Sequence, residues 1–170
     1  MTQSTTRLEE ALEAWGDARR GVIDEVRNIP AKQWDFRPTP DVKSVRELAV
    51  HILEVAMLMT GELTRTDTNF RRAPWLKLLR MYAGSAYKAK SRTELQRILR
   101  LQLKSAQREF RSVGELHMLQ LIERFDGEKG TRLAWLYHGI AQEEYHRGQL
   151  TVYERLMGIE PALTRRIRGG

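Results

Sequence analysis

The stretch Thr131–Met157, TRLAWLYHGIAQEEYHRGQLTVYERLM, says most about the fold. Its apolar residues recur at intervals of three and four, and it contains no proline. This spacing is typical of an amphipathic helix and places Trp135, Leu150 and Tyr153 on one face. Gly158 follows as the expected C-terminal cap. We therefore predict one long helix over residues 131–157.

Three upstream segments show the same helical spacing. They predict helices from Arg7 to Asn28, from Val45 to about Leu63, and from just after Ser91 to about Arg111. Each begins with a hydroxyl residue three positions before a glutamate, the pattern of a capping box in which both side chains bind free backbone amides. The three pairs are Thr6 and Glu9, Ser44 and Glu47, and Ser91 and Glu94.

The segments between these helices carry weaker signals. Residues 34–43 contain two prolines and are predicted to form an ordered connector, whereas a short helix is expected within residues 74–83. Residues 126–130 have the composition of a turn, and residues 117–124 are ambiguous. No alternating apolar run indicates a strand. The predicted fold class is therefore all-α, a four-helix bundle with a short joining helix.

Length and composition indicate one intracellular domain. The 170 residues contain no linker, so we predict a single domain over residues 1–164 and a basic, frayed tail over residues 165–170. The chain has no cysteine, which excludes disulfides, thiolate zinc sites and a cysteine nucleophile. Its longest mostly apolar stretch, residues 48–60, is too short and too polar to span a bilayer. A cytoplasmic protein without a membrane partner is expected.

Histidines are the first candidates for chemistry in a helical chain without cysteine. His51 lies near the buried face of the second helix. On the last helix, Gln142 and His146 are four residues apart, so their side chains share one side. Neighbouring helices would bring His51 opposite this pair. The alternative is that each histidine is a packed core residue and that the stripe containing Trp135 and Tyr153 is simply core.

Two segments resemble the DinB/YfiT-like superfamily. One is Pro38-x-Pro40-x-x-x-Ser44-Val-Arg-Glu-Leu-Ala-Val-His51-Ile, and the other is the final helix from Trp135 onward, in which His146-Arg-Gly-Gln-Leu is the most specific string. The resemblance implies an up-down-down-up four-helix bundle, often a homodimer. It also implies a divalent metal bound by one histidine from the second helix and two, four residues apart, from the last helix.

By position, the resemblance places these metal ligands at His51, Gln142 and His146. Gln142 departs from the family pattern, and its amide oxygen is a weaker ligand than imidazole for zinc or nickel. The implied cofactor is Zn, Ni, Mn or Fe, held with reduced affinity. Glu143 is the nearer backup carboxylate. His138 is separated from His146 by a rise of about 12 Å, too far to substitute directly. The expected pocket residues are Trp135, His138 and Tyr153.

Two functions stay open on this basis. The resemblance implies a metal-dependent transferase that presents an external low-molecular-weight thiol to an electrophile, which suits a chain without its own cysteine. Metal-activated water is a related possibility. The alternative, suggested by Gln142, is a metal-free, non-catalytic bundle that serves as a binding or interaction module. The long apolar helix faces are compatible with the homodimer that the resemblance implies.

Positive charge is concentrated between Arg65 and Gly114, where 13 basic residues face three acidic ones in a chain with a net charge of +7. Five of them form a stripe along the predicted third helix: Arg97, Arg100, Lys104, Arg108 and Arg111. Aromatic residues of the kind that stack on bases are interleaved in the same region: Phe70, Trp75, Tyr82 and Tyr87.

Nucleic-acid binding is nevertheless disfavoured, since no helix-turn-helix, zinc finger or Arg-Gly-rich tract accompanies this basic segment. A solvated face, or a surface that attracts acidic ligands, is the simpler interpretation. The family's historical name refers to induction by DNA damage. Induction is not binding, so the name carries no weight as evidence; a stress-response setting is expected only as part of the family resemblance.

Overall fold

The computed structural model describes residues 5–84 and 86–169. Residues 1–4 of the predicted domain and Gly170 of the predicted tail lie outside this part. The described chain is mostly helical, as predicted. Its helices are α1 (Arg7–Asn28), α2 (Val45–Leu63), α3 (Trp75–Tyr82), α4 (Arg92–Met118), α5 (Arg132–Leu156) and α6 (Ala162–Arg168), and its strands are β1 (Leu121–Glu123) and β2 (Lys129–Thr131).

The four long helices enclose the core. α1 packs against both α4 and α5, and α2 packs against the same two helices. In one half of the core, the rings of Trp15 and Phe110 meet edge-on with centroids 6.0 Å apart. The other half contains Ile52 and Leu99, both fully buried. None of the helices described here is long and apolar enough to cross a membrane.

The helix starts follow the sequence pattern only in part. As predicted, three hydroxyls accept a hydrogen bond from the amide three residues later, at 3.1–3.2 Å: Thr6, Ser44 and Ser91. Only Ser44 completes a capping box, because Glu47 accepts the Ser44 amide at 2.7 Å. The Glu9 carboxylate instead binds Arg111 of α4 at 2.9 Å. Glu94 accepts the Lys90 amide at 2.9 Å and not the amide of Ser91, so the other two reciprocal bonds were wrongly predicted.

Residues 112–131 differ from the prediction. α4 continues beyond Arg111 to Met118, interrupted at Gly114, whose φ of 79° favours glycine. β1 and β2 then form a short antiparallel hairpin, with Ile122 opposite Gly130. The expectation of no strand was wrong because strands of three residues are too short to show an alternating pattern. The turn between them, residues 124–128, overlaps the turn predicted over residues 126–130, but residues 129 and 130 belong to β2.

The predicted frayed tail is helical through Arg168. α6 is attached to α1 by the Glu25 carboxylate, which accepts hydrogen bonds from the amides of Ala162 at 2.6 Å and Leu163 at 3.2 Å. Arg165 also donates to the Asn28 side-chain oxygen at 2.9 Å. A basic segment that would fray alone is thereby ordered by contacts with a distant helix.

A buried ion pair fixes α5 against α1. The Arg19 and Glu143 side chains are almost completely excluded from solvent, and Arg19 Nε donates to Glu143 Oε2 at 2.9 Å. Trp15 Nε1 donates to Glu143 Oε1 at 2.6 Å. The other end of the guanidinium donates to the Leu99 carbonyl and to the Gln102 side-chain oxygen, both at 2.9 Å. This network joins α1, α4 and α5 and sets the rotation of α5 about its axis.

Candidate functional site

The side chains of His51 on α2 and His146 on α5 meet between the two helices. Their ring centroids are 4.9 Å apart and the rings are nearly perpendicular, at 81°. Both residues are partly buried. Each comes from a regular helix, so the backbone that positions it is rigid. The structure thus brings together two residues separated by almost a hundred positions in the sequence.

Both imidazoles are oriented by a partner three residues further along the same helix. His51 Nδ1 lies 3.1 Å from Glu54 Oε2, and His146 Nδ1 lies 2.7 Å from Gln149 Oε1. In the neutral rings, Nδ1 then carries the proton and donates to these oxygens. Nε2 is left as the free acceptor on both rings, which is how histidines are commonly prepared for a metal ion.

The Glu54 carboxylate has a second partner that the sequence analysis missed. Tyr87, in the short 3-10 turn Ala86–Lys88, places its hydroxyl within hydrogen-bonding reach of Glu54. Burial and this hydrogen bond raise the pKa of Tyr87 to about 12. The phenol therefore remains neutral beside the Glu54 carboxylate, and the 3.1 Å contact with Glu54 orients the His51 imidazole. The i, i+3 spacing of His51 and Glu54 was visible in the sequence, whereas the contribution of Tyr87 was not.

The environment of His146 favours its neutral form. Burial is the main cause that lowers the pKa of His146, and the nearby charges of His51 and Lys43 act in the same direction. The hydrogen bond to Gln149 opposes this shift but does not cancel it. A neutral imidazole is the form that binds metal ions, so His146 is ready for coordination at neutral pH.

The residues present fit a divalent metal ion. Gln142 lies one turn before His146 and lines the same cavity, and its buried Oε1 has no hydrogen-bond partner. Leaving a buried acceptor unpaired is costly, and a cation beside it would remove that cost. In the described chain no group of three or more His, Cys, Asp or Glu side chains is arranged to hold a metal ion, so Gln142 is needed for a set of three protein ligands.

The space between the histidines and the hairpin is a cavity of about 290 Å³ with a largely aromatic wall. Trp135 and His138, both predicted pocket residues, line it with rings stacked 4.6 Å apart. Phe125 reaches the cavity from the turn between β1 and β2. The residues that complete the wall are Val55, Met59, Trp75, Gly139 and Tyr145.

Two predicted site residues lie elsewhere. Tyr153 packs edge-on against Phe36, and its hydroxyl donates to the Lys43 carbonyl at 3.0 Å, so it supports the connector and does not line this cavity. Glu143, predicted as the backup carboxylate, is directed to Arg19 and Trp15 instead. A position about 60° from His146 on the helix is enough to direct its side chain into the core.

The five residues of the basic stripe are all exposed on α4: Arg97, Arg100, Lys104, Arg108 and Arg111. The aromatic residues proposed for base stacking are mostly directed inward. Phe70 is 2% exposed, Trp75 lines the cavity, and the Tyr82 hydroxyl donates to the buried Glu62 carboxylate at 2.8 Å. Tyr87 is exposed but binds Glu54. This arrangement leaves the stripe without the row of stacking rings that the nucleic-acid interpretation requires.

Comparisons with known proteins give one family and include two solved structures of similar fold. The sequence model of the DinB family matches residues 1–168. A DinB-like protein of Bacillus subtilis, YjoA, has a similar structure, with a TM-score of 0.66 and 20% identity, over 88% of this chain and 92% of that chain. A mycothiol-dependent maleylpyruvate isomerase gives a TM-score of 0.64 and 13% identity, over 86% of this chain but only 63% of that chain. At these identities the structures show a shared fold. No curated protein sequence matches the chain.

Proposed function

Because the chain belongs to the DinB family, we propose that its cavity is a divalent-metal site at which an external low-molecular-weight thiol reacts with an electrophile. We further propose that the four long helices have the up-down-down-up order, which agrees with the packing of α1 and α2 against both α4 and α5. The observation that carries the functional proposal is the convergence of His51 and His146, whose centroids are 4.9 Å apart, beside the unpaired oxygen of Gln142.

Separate residues would bind the metal ion and orient its ligands. His51 Nε2, His146 Nε2 and Gln142 Oε1 would hold the ion, while Glu54 and Gln149 keep the two imidazoles in place. A divalent ion there would act as a Lewis acid that lowers the pKa of a bound thiol. The aromatic wall would exclude water and accept the apolar part of the electrophile.

Two observations support a thiol as the nucleophile. The chain has no cysteine, so any sulfur nucleophile must enter as a ligand. A protein of similar fold is a mycothiol-dependent isomerase, which is an instance of thiol chemistry on this architecture. The competing proposal is a metal-free binding module, and the observation that favours it is the amide of Gln142 in place of a third imidazole.

Metal content of the purified chain tests the proposal. We expect a near-stoichiometric divalent metal in the wild type, and a loss of affinity of roughly tenfold or more in His51→Ala and His146→Ala, since each removes one ligand. The matched control is His138→Ala, which changes a third histidine of the same cavity that is stacked on Trp135. Mass spectrometry of untagged protein, prepared without chelating resin, measures the metal content of the wild type and of each variant.

The cobalt-substituted protein tests the thiol. Addition of N-acetylcysteine is expected to produce a sulfur-to-cobalt charge-transfer absorption that both ligand variants lack. Metal without this absorption would favour activated water over a thiol. An absence of metal, even after incubation with zinc, nickel or manganese, would contradict the catalytic proposal and favour the binding module.

Gln142→His is expected to raise zinc affinity by roughly tenfold or more, because imidazole is a better zinc ligand than an amide oxygen. Competition with a chromogenic chelator measures the change. Gln33→His, in the turn Ala31–Gln33 outside the cavity, is the control for a histidine added elsewhere. Equal affinities of Gln142→His and the wild type would mean that position 142 does not contact the ion.

A further inference from the structure

A second cavity adjoins His51 and Trp75. It has a volume of about 610 Å³ and is bordered by Leu76 and Leu79 of α3, together with Lys43, Arg80 and Tyr87. His51 and Trp75 line both this outer cavity and the inner one. A ligand in the outer cavity would therefore lie beside His51, one of the candidate metal ligands.

Two cations of the outer cavity have no acidic partner. Nearby, Arg37 pairs with Glu47 at 3.2 Å and Arg46 pairs with Asp35 at 3.0 Å. Within the described part of the chain, the side chains of Lys43 and Arg80 make no such ion pair or hydrogen bond. Their positive charges are thus available to a ligand.

One acidic residue, Glu54, lines the same cavity, so two cations and one carboxylate leave an excess of one positive charge there. Glu54 is committed to His51 Nδ1 at 3.1 Å and to the Tyr87 hydroxyl. Lys43 and Arg80 line this one cavity together. The outer cavity is therefore a positively charged approach to an otherwise apolar pocket.

We propose that the natural ligand of this site is an organic carboxylate, whose anionic group is bound by Lys43 and Arg80 while its apolar part passes Trp75 into the inner cavity. A guanidinium binds a carboxylate through two parallel hydrogen bonds, and an ammonium adds a mobile point charge. The proposal rests on the proposed function, since it assigns a substrate class to that site. Recognition of the anion by these side chains does not itself require a metal.

The test compares 3-phenylpropionate with its uncharged amide on metal-free protein at mildly alkaline pH, where the His146 imidazole is neutral. Quenching of tryptophan fluorescence reports binding, because Trp75 and Trp135 line the inner cavity. We expect the carboxylate to bind about tenfold more tightly than the amide, with Lys43→Met and Arg80→Met each reducing this ratio about threefold at low salt. Affinity for the amide should not change.

Lys104→Met is the matched control, because it removes a positive charge from the exposed face of α4 and leaves the cavity intact. Equal binding of the carboxylate and the amide would overturn the proposal. An equal loss in Lys104→Met would do so too, because it would assign the preference to the net charge of +7. A lack of saturable binding by both compounds would likewise reject the site.

The result is independent of the metal test. If the wild type binds no metal but retains the carboxylate preference, the catalytic proposal fails and the ligand assignment stands. If metal is bound but Lys43→Met and Arg80→Met leave the preference unchanged, the metal site stands and the assignment fails.

Discussion

Replacing Arg19 with methionine is expected to lower the free energy of unfolding by roughly 3–5 kcal/mol, because it leaves a buried carboxylate without its cation. Glu143 is 1% exposed, and its cationic partner among the described residues is the buried Arg19, whose Nε lies 2.9 Å from Glu143 Oε2. Trp15 can still donate one hydrogen bond, but it brings no charge. Urea denaturation followed by circular dichroism measures the change.

Two comparisons separate this effect from a general loss of packing. Arg27→Met breaks an exposed pair with Asp24, joined at 2.8 Å, and should cost less than about 1 kcal/mol. The double variant Arg19→Met with Glu143→Met leaves no unpaired charge at this position and should recover much of the lost stability. A cost for Arg19→Met no larger than that for Arg27→Met would show that the buried pair does not support the fold.

Glu154→Gln is expected to stabilise the protein at alkaline pH. Burial and the neighbouring Glu25 carboxylate raise the pKa of Glu154 from 4.5 to about 8. Glu154 Oε2 is buried without a donor, so a proton on it supplies a hydrogen bond to Glu25. Glutamine keeps a neutral donor at this position and an oxygen for Asn28, which now donates to Glu154 Oε1 at 2.7 Å.

The raised pKa of Glu154 determines how the stability of the protein changes with pH. The protonated Glu154 side chain contributes stability that is fully present below about pH 4.5 and is lost as the pH rises through about 8. Above that range Glu154→Gln should exceed the wild type by on the order of 3 kcal/mol, since one pKa unit corresponds to about 1.36 kcal/mol. Below pH 4.5 the two proteins should have similar stability.

Urea denaturation across this pH range measures the difference between the two curves. Glu128→Gln, on the exposed turn of the hairpin, is the control for removal of a carboxylate elsewhere. Curves for wild type and Glu154→Gln that stay parallel at all pH values would contradict the assignment of a protonated Glu154.

Local periodicity accounts for what the sequence could predict. The helix bounds of α1 and α2, and the starts of α4 and α5, follow from apolar spacing and from hydroxyl caps at Thr6, Ser44 and Ser91. Both patterns are contained within a few turns of chain. Features that depend on distant contacts were missed, as with α6, which is ordered by Glu25 more than 130 residues away.

In the candidate site, too, some features could be predicted from the sequence and others could not. The meeting of His51 with His146 was anticipated from helix faces together with the family resemblance. Tyr87 and Phe125 were not, because each comes from a short segment with no periodic signal. The direction of Glu143 was also missed, since composition gives no reason to expect a fully buried arginine as its partner.

The hairpin places Phe125 against a cavity whose histidines stand on α2 and α5. Its two strands bond to each other, so the turn between them can change in length or composition while both helices keep their positions. The chemistry of the site and the shape of its wall are therefore encoded in separate segments. In the evolution of this fold, divergence of substrate range should accumulate in residues 124–128, and grafting of this turn between relatives should transfer selectivity without disturbing the metal ligands.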